Sequence, residues 1–395
     1  MKITYGKSVH DNAEIKAVLN VLKTSTQMGK NVRKLEKIVS EMFNKKYGVM
    51  TNSASSALMI AFEILNLPKN SEVITPCLNF GTAISALIQN NLKPIFVDIK
   101  LNTLCVDEDL IEKKINKKTR AILIPNLIGN CPNWEKLSKI AKKHKLISIE
   151  DSADTIGAKY KKQSTGKYSD ISITSFYGSH IVNGAGNGGM LCLNNKKLYN
   201  KSLLLRSWGR SSSIFKENSE SIKNRFNIKL DGIDYDKKFI FETPGYNLEP
   251  SEISAAFALE QIKKLKKNYQ IRNRNFKIYY EYLKKNTEKF ILPDNNSKLH
   301  TAWLAFPIIM KEKKNLKRKQ LQIFLEKKNI QTRVIFSGNI LRQPAFKHLR
   351  KYNKVNTFKN SDYIMKNSIL VGLHQGLSKD NILKVVKNID KFIKN

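Results

Sequence analysis

Between residue 46 and about residue 193, short apolar and β-branched runs alternate with segments of helical pattern. The runs are apolar along their whole length, as strands are when helices cover both faces of their sheet. Parallel neighbours in a sheet need a long crossover connection, and the helical segments can supply it. The alternation therefore predicts an α/β fold with a mainly parallel sheet between two helical layers. The runs are YGVMT, EVITP, PIFVDI, RAILIP and LISIED.

The C-terminal part of the chain has a different organisation. One long amphipathic helix is predicted around residues 259–283, where apolar residues recur at near-helical spacing. Beyond about residue 290, the strand-like run LHTAWLAFPIIM, a basic helix, the run QTRVIFSG and a terminal helix predict a smaller α+β domain. We therefore predict a large domain over residues 1–265 and a small C-terminal domain over residues 266–395.

The chain is strongly basic, with 70 lysine and arginine residues, 33 aspartate and glutamate residues and a formal net charge of +37. Such an excess is typical of proteins that bind nucleic acids, and a nucleic-acid-binding regulator is one interpretation. The excess is mostly lysine, accompanies many asparagines and isoleucines, and is spread over the outer faces of the predicted helices. We therefore favour the amino-acid bias of an AT-rich genome, with attraction of a small anionic substrate as a by-product.

Composition also limits where in the cell the protein is expected and whether it carries disulfides or a metal site. No stretch approaches the ~20 apolar residues of a membrane-spanning helix, and the N-terminus lacks the apolar core of a secretion signal. The four cysteines, Cys77, Cys105, Cys131 and Cys192, lie far apart and form no CxxC pair. This spacing supports neither a disulfide framework nor a metal site. We expect a cytoplasmic protein with free thiols and no membrane partner.

Two strand ends carry polar residues that suit a phosphate group and a cationic ring. Residues 51–57 (TNSASSA) open a helix with small hydroxyl side chains, and the free N–H groups of such a helix start can hold a phosphate. Residues 149–154 (IEDSAD) place carboxylates at the carboxyl end of a buried strand, the edge where open α/β sheets bind ligands. A buried carboxylate needs a cationic partner, such as a protonated pyridine nitrogen. Alternatively, the polar side chains of both segments are ordinary helix caps without a ligand.

A third polar segment covers residues 174–189. Residues 184–189 (GAGNGG) satisfy the G-x-G-x-x-G pattern, but the run MLCLN that follows is typical of a strand. A dinucleotide-binding loop precedes a helix, so this interpretation fails on context. We interpret the glycines as residues that let a loop turn tightly beside a ligand.

Five segments in this order resemble the DegT/DnrJ/EryC1/StrS family of pyridoxal-phosphate (PLP)-dependent nucleotide-sugar aminotransferases, over nearly the whole chain. The resemblance implies an aspartate-aminotransferase-like fold (PLP fold type I) with a seven-stranded sheet in the large domain and a small C-terminal domain. It also implies a homodimer with shared active sites. The segments are TNSASSAL, EVITPCLNFGTAISALIQNNLKPIFVDI, IEDSADTIGAKY, TSFYGSH with the later GGM, and PGYNLEPSEISAAFALEQIKKL.

Position 180 departs from the aminotransferase pattern. The aminotransferases carry a lysine there, to which the cofactor is attached, whereas this chain has His180. No lysine occurs between Lys167 and Lys196, so a shifted alignment cannot restore one. The same change marks a subgroup, the nucleotide-sugar 3-dehydratases, and the chain resembles its branch typified by GDP-4-keto-6-deoxymannose 3-dehydratase. This resemblance implies PLP or pyridoxamine phosphate (PMP) held without a covalent link.

Another branch of the subgroup holds an iron–sulfur cluster on cysteines that follow the WGR motif. Here residues 211–213 (SSS) follow that motif, and no cysteine occurs beyond Cys192, so we expect no iron–sulfur cluster. Two features fit neither branch: Asn187 stands where a glutamate is usual, and the loop after His180 is one residue longer. The identity of the sugar is therefore open.

The resemblance implies a role for each candidate site residue. His180 is the catalytic acid/base, and Asp151 pairs with the pyridine nitrogen of the cofactor. Phe80 stacks on the cofactor ring, and Asp154 lines its edge. The cofactor phosphate is held by Ala54, Ser55, Ser175 and, across the dimer, Asn247.

The implied reaction removes the C3 hydroxyl of a nucleotide-linked 4-keto-6-deoxyhexose and releases ammonia, with glutamate as the amino donor that recharges the cofactor. Three other functions stay open. They are an aminotransferase that uses His180 as its base, the nucleic-acid-binding regulator, and a family member without activity. The sequence does not determine the nucleotide or the sugar.

Overall fold

The computed structural model describes residues 2–215, 222–294, 298–312 and 317–394. Most of the apolar runs of the sequence form strands. In chain order, the described strands are β1 (Tyr47–Thr51), β2 (Glu72–Pro76), β3 (Lys93–Val97), β4 (Thr119–Pro125), β5 (Ile147–Ser152), β6 (Lys159–Tyr160), β7 (Gln163–Ser164), β8 (Ile171–Ser175), β9 (Gly189–Leu193), β10 (Lys229–Leu230), β11 (Ile233–Asp234), β12 (Phe290–Ile291), β13 (Leu299–His300), β14 (Ala305–Met310), β15 (Thr332–Arg333) and β16 (Ser368–Gly372).

Small polar residues cap the starts of several helices. The side chains of Asp11, Ser53 and Ser251 each accept a hydrogen bond from a backbone N–H group in the first turn of the helix that follows. No helix within the described ranges combines the length and the apolar character of a membrane span. The helices are α1 (Asn12–Thr24), α2 (Lys30–Met42), α3 (Ala54–Leu65), α4 (Gly81–Gln89), α5 (Trp134–Lys143), α6 (Lys196–Arg206), α7 (Ser212–Phe215), α8 (Ile222–Phe226), α9 (Glu252–Lys263), α10 (Leu265–Lys284), α11 (Arg318–Lys327), α12 (Lys359–Asn367) and α13 (Lys379–Lys394).

The central sheet has seven strands in the order β1-β9-β8-β5-β4-β2-β3. Strand β9 runs antiparallel to both of its neighbours, and the other neighbouring pairs are parallel. Successive residues of one strand pack on opposite helical layers: Val73 lies in the apolar cluster of α3 and α4, whereas Ile74 lies in that of α5. The predicted α/β fold with a mainly parallel seven-stranded sheet is confirmed.

The predicted single helix over residues 259–283 is wrong, because the chain forms two helices that meet at Lys264. Leu259 of α9 and Tyr269 of α10 belong to the apolar cluster that includes α2, whereas Phe276 of α10 belongs to the cluster around β14 and β16. The change from one core to the other therefore falls within α10 and not at Lys264.

The C-terminal part is built on a four-stranded antiparallel sheet in the order β12-β14-β16-β15. The run LHTAWLAFPIIM forms two strands rather than one. Strand β14 belongs to this sheet, whereas β13 pairs with β6, where His300 lies opposite Lys159. The boundary between residues 265 and 266 falls at the start of α10 and stays a prediction.

Two buried carboxylates attach the N-terminal helices to α9. Glu252 accepts hydrogen bonds from the backbone N–H groups of Gly29, Asn31 and Val32 at 2.7, 3.0 and 2.9 Å. It thereby satisfies the free N–H groups at the start of α2. In α1, the fully buried Glu14 accepts hydrogen bonds from the side chains of Gln261 and Lys264, each at 2.5 Å.

A buried ion pair connects α2, β1 and α6. The guanidinium of Arg206 donates to Glu36 Oε1 at 2.7 Å and to the carbonyl of Met50 at 3.1 Å. The N–H of Met50 donates to the same carboxylate oxygen at 2.9 Å. Both charged side chains are buried, so each depends on the other for compensation of its charge.

We expect Arg206→Met to lower the free energy of unfolding by about 3–5 kcal/mol, because it leaves the Glu36 carboxylate buried without its cation. Denaturant titration followed by circular dichroism measures this loss. The matched control is Lys143→Met, which removes an exposed ion pair with Glu112 and should cost less than about 1 kcal/mol. Equal losses for the two variants would contradict the importance of the buried pair.

Candidate functional site

A cavity of about 540 Å³ opens at the edge of the central sheet where β1, β2, β4, β5 and β8 end. This is the carboxyl edge, at which open α/β sheets bind ligands. The structure brings most of the candidate site residues together here. The cavity is lined by Ala54, Ser55, Phe80, Asp151, Asp154, Ser175, His180 and Asn187, among others.

The turn after β1 forms one wall. Ser53 caps α3, and its hydroxyl accepts a hydrogen bond from the N–H of Ser56 at 3.1 Å. Ala54 and Ser55 follow in the first turn and line the cavity. The N-terminus of this twelve-residue helix carries the positive end of the helix dipole, which favours an anion.

Asp151 lies near the end of β5, and its side chain lines the cavity. Its Oδ1 accepts a hydrogen bond from the N–H of Ala153 at 3.0 Å, and the residue is 7% exposed. Among the described residues, no cationic side chain forms an ion pair with it. Burial raises the pKa of Asp151 to about 6, because water no longer stabilises the charged form.

Asp154 and His180 lie next to each other in the wall of the cavity. Asp154 Oδ2 accepts a hydrogen bond from the N–H of Ile128 at 3.0 Å, and its Oδ1 lies 3.7 Å from His180 Nε2. Burial, together with the nearby Asp151, raises the pKa of Asp154 to about 7. Burial lowers the pKa of His180 to about 4. Burial thus favours a neutral imidazole at neutral pH.

The loop over residues 176–188 presents His180 to the cavity. It is closed by backbone hydrogen bonds from the N–H of Phe176 to Gly188 O at 2.9 Å and from the N–H of Gly184 to Phe176 O at 2.8 Å. The side-chain oxygen of Asn187 accepts from the hydroxyl of Ser254 at 2.9 Å. The chain continues directly into β9, a strand, so the GAGNGG segment does not open a helix.

Phe336 and Tyr177 are among the lining residues that sequence reasoning missed. Phe336 comes from the loop after β15, and its ring meets the edge of Phe80 at 5.9 Å between centroids. Next to it, the hydroxyl of Ser337 donates to Asn79 O at 2.7 Å. These contacts join segments more than 250 residues apart in the sequence, so no local sequence pattern predicts them. Tyr177 also lines the cavity, with its ring 5.6 Å from that of His180.

Asn247 does not line this cavity. It is exposed, and its backbone pairs with Ser207 in an isolated antiparallel bridge. The candidate role of Asn247 at the site of a partner subunit stays a prediction.

All four cysteines are buried and free. Within the described ranges, no group of three or more histidine, cysteine, aspartate or glutamate side chains is placed to hold a metal ion. The expected absence of an iron–sulfur cluster stays a prediction, which an iron assay of anaerobically purified protein can check.

A sequence profile of the DegT/DnrJ/EryC1/StrS aminotransferase family matches residues 8–390, nearly the whole chain. The chain belongs to this family. The family is described as one of aminotransferases, the relatives of this chain include a sugar 3-dehydratase, and the protein is an enzyme.

Two relatives illustrate the similarity. The lipopolysaccharide biosynthesis protein RfbH of Salmonella typhimurium is 33% identical over 367 residues, which cover 90% of this chain and 84% of that protein. The GDP-4-keto-6-deoxy-D-mannose 3-dehydratase of Escherichia coli O55:H7 is 30% identical over 376 residues, which cover 93% of this chain and 94% of that protein.

Solved structures support the same family and fold type. An E. coli GDP-4-keto-6-deoxy-D-mannose-3-dehydratase with bound hydrated PLP is 28% identical, with a TM-score of 0.86 over 98% of this chain and 100% of that chain. A GDP-4-keto-6-deoxymannose-3-dehydratase with a trapped PLP-glutamate geminal diamine is 27% identical, with a TM-score of 0.85 over 98% and 99%. The predicted PLP fold type I is confirmed.

We expect His180 to stay neutral between pH 8 and about pH 5.5, because burial disfavours its charged form. NMR titration of histidine-labelled, cofactor-free protein measures this, with His180→Asn identifying the signal. Unfolded chains protonate a histidine near pH 6.5, so this group reduces the stability of the fold as the pH falls from 6.5 toward 4. A midpoint near 6.5 for this signal would contradict the burial argument.

Proposed function

We propose that the enzyme is a nucleotide-sugar 3-dehydratase that removes the C3 hydroxyl of a nucleotide-linked 4-keto-6-deoxyhexose. One observation carries the proposal: His180 stands in the cavity wall, and none of the described residues that line the cavity is a lysine. A family member that attaches its cofactor covalently needs a lysine amine at that place. The similarity to GDP-4-keto-6-deoxymannose 3-dehydratases supports the same reaction.

The cavity suits PLP or PMP held without a covalent link. Ala54, Ser55 and Ser175 would hold the phosphate at the start of α3. The buried Asp151 would pair with the protonated pyridine nitrogen, which would supply the cation that this carboxylate otherwise lacks. Phe80, which is 54% exposed, would cover one face of the ring.

The environment of His180 suits proton transfer in both directions. Because its pKa is about 4, the imidazole is neutral at pH 7, and Nε2 can accept a proton at the reacting centre. The resulting imidazolium is a stronger acid than an exposed histidine, so it can donate that proton to the departing C3 hydroxyl. Asp154, 3.7 Å from Nε2, would stabilise the imidazolium. When bound, the cofactor would supply the electron sink next to the sugar.

Glutamate would recharge the cofactor, and the products would be a 3-deoxy-4-keto sugar and ammonia. The PLP–glutamate complex of a structural neighbour supports this amino donor. The second candidate function is an aminotransferase, which the family description favours. The two functions differ in the fate of nitrogen, which is released as ammonia by a dehydratase and retained on C4 by an aminotransferase.

The active unit would be a homodimer in which Asn247 serves the site of the other subunit. Asn247 is exposed at the end of a segment that is rich in exposed apolar side chains, which supports a covered surface. These side chains include Phe226, Ile233, Phe239 and Phe241.

We expect His180→Asn to lower the rate of C3 deoxygenation by about 10²–10⁴-fold, the usual loss when a positioned acid/base is removed. The assay incubates enzyme, PLP and glutamate with a panel of nucleotide-linked 4-keto-6-deoxysugars and measures released ammonia and 3-deoxy product. His144→Asn, which removes a histidine remote from the cavity, is the matched control and should retain the parental rate. A 4-amino sugar as the main product of the parent enzyme would establish the aminotransferase instead.

We expect borohydride treatment of the PLP-loaded enzyme to leave no reduced cofactor on residues 175–190, because this segment holds no lysine. Peptide mass spectrometry locates any adduct. His180→Lys is the positive control, since its amine can react with the cofactor aldehyde. A parental adduct in this segment would contradict the non-covalent site.

A further inference from the structure

The turn of residues 127–129 follows β4 and forms part of the cavity wall, where Leu127 lines the cavity. Ile128 has a φ of 47°, in the left-handed region that a β-branched side chain rarely adopts. In this conformation its N–H donates to Asp154 Oδ2 at 3.0 Å. Backbone strain of this kind is concentrated at functional sites. A strained residue thus holds the carboxylate that lies beside His180.

The segment of residues 301–304, which leads into β14, holds this turn by two hydrogen bonds. The hydroxyl of Thr301 donates to Gly129 O at 2.7 Å, and the N–H of Leu304 donates to Ile128 O at 2.9 Å. The two backbones also touch at Gly129, where a Cβ would lie 2.5 Å from a Cα atom of the segment. Gly129 has a φ of 100°, so both its conformation and its surroundings require glycine. The turn therefore cannot move independently of the segment.

Arg272 of α10 binds the 301–304 segment. Its Nη1 donates to the carbonyls of Trp303 and Leu304, each at 3.0 Å. The Trp303 carbonyl and the Leu304 N–H belong to the same peptide group. That group accepts from Arg272 and donates to Ile128, so a series of hydrogen bonds connects the guanidinium with the strained turn.

The burial of Arg272 is unfavourable for the stability of the fold. The residue is fully buried, and within the described ranges its Nη2 has no hydrogen-bond partner and no carboxylate forms an ion pair with it. Its Nε is bound to a neutral group, the side-chain oxygen of Gln375 at 2.9 Å. Burial lowers the pKa of this guanidinium to about 10, because a buried charge without a counter-ion is costly. An apolar side chain would avoid this cost, so stability alone does not explain an arginine here.

We propose that Arg272 and Thr301 are positioning residues for the pair formed by Asp154 and His180. They hold the turn at Ile128, whose N–H fixes the carboxylate with its other oxygen 3.7 Å from His180 Nε2. The inference rests on the proposed function in one respect, since that function assigns Asp154 the role of stabilising the imidazolium. A displaced carboxylate would stabilise the imidazolium less. Loss of either positioning residue should therefore slow catalysis without weakening substrate binding.

The ionisation of Asp154 reports on this arrangement independently of catalysis. Burial raises the pKa of Asp154 to about 7, and the Ile128 N–H opposes this rise because it stabilises the charged carboxylate. The ionisable groups that face Asp154 are His180, Asp151 and Tyr5, and the variants described next change none of them. Loosening of the turn should therefore raise the pKa of Asp154 further.

The first test compares Arg272→Met with Thr301→Val, which removes the hydroxyl bound to Gly129 O and leaves every charge in place. The NMR signal of His180 in cofactor-free protein should show an inflection where the neighbouring Asp154 ionises. We expect the midpoint of this inflection to rise by about 0.5–1 pH unit in both variants, since an N–H bonded to a carboxylate lowers its pKa by roughly that amount.

The second test measures steady-state kinetics of the PLP-loaded enzyme with glutamate and the nucleotide-linked sugar that it deoxygenates. We expect kcat to fall about 10- to 100-fold in Arg272→Met, because a small displacement of a catalytic group has effects of this size. The fall should be about 2- to 10-fold in Thr301→Val, which removes one of the bonds that hold the turn. The KM for the sugar should stay at the parental value in both variants.

The matched control is Arg274→Met, at another arginine of α10. The guanidinium of Arg274 binds Asn275 Oδ1 and Leu377 O and makes no contact with the turn, so the midpoint and kcat should stay parental. An unchanged midpoint or a parental kcat in Thr301→Val would overturn the proposal, whether or not Arg272→Met folds. A raised midpoint in Thr301→Val, with no deoxygenated product from the parent enzyme, would retain the positioning of Asp154 and reject the dehydratase.

Discussion

The contact between Gly189 and the start of α3 holds the two halves of the site together. A Cβ on Gly189 would lie 2.3 Å from both Ala54 N and Ser53 C, so a residue with a side chain cannot stand there without separating the two segments. Gly189 also pairs with Thr51 on one side and with Ser175 on the other. The helix start that suits a phosphate and the loop that carries His180 are therefore fixed relative to each other by direct backbone contact.

Burial shifts the pKa values of the acidic and the basic groups of the cavity in opposite directions. It raises the pKa of Asp151 and Asp154 and lowers that of His180, so each group is driven toward its neutral form. A cationic ligand beside Asp151 would reverse this effect on one carboxylate and leave the imidazole neutral. The same cavity can thus hold a charged ring beside Asp151 and a neutral imidazole at His180.

Local patterns predicted the parts of the molecule that depend on local chemistry. The alternation of apolar runs and helices sufficed for the central sheet, and the position of IEDSAD at a strand end sufficed to place Asp151 at the ligand edge. The interruption at Lys264 was missed, because the apolar spacing continues across it. Phe336 was missed because only the packed fold brings it to Phe80.

The attachment of the N-terminal helices to α9 determines an order of assembly. Glu252, which completes the start of α2, and Gln261 and Lys264, which hold Glu14 of α1, are more than 200 residues later in the chain. During synthesis the ribosome releases α1 and α2 first. Helix α2 can pack on β1 as soon as that strand has emerged, but the residues that complete its start and hold α1 emerge only with residues 252–264. Helix α1 and the start of α2 therefore dock late, and until then they are open to chaperones and to proteases.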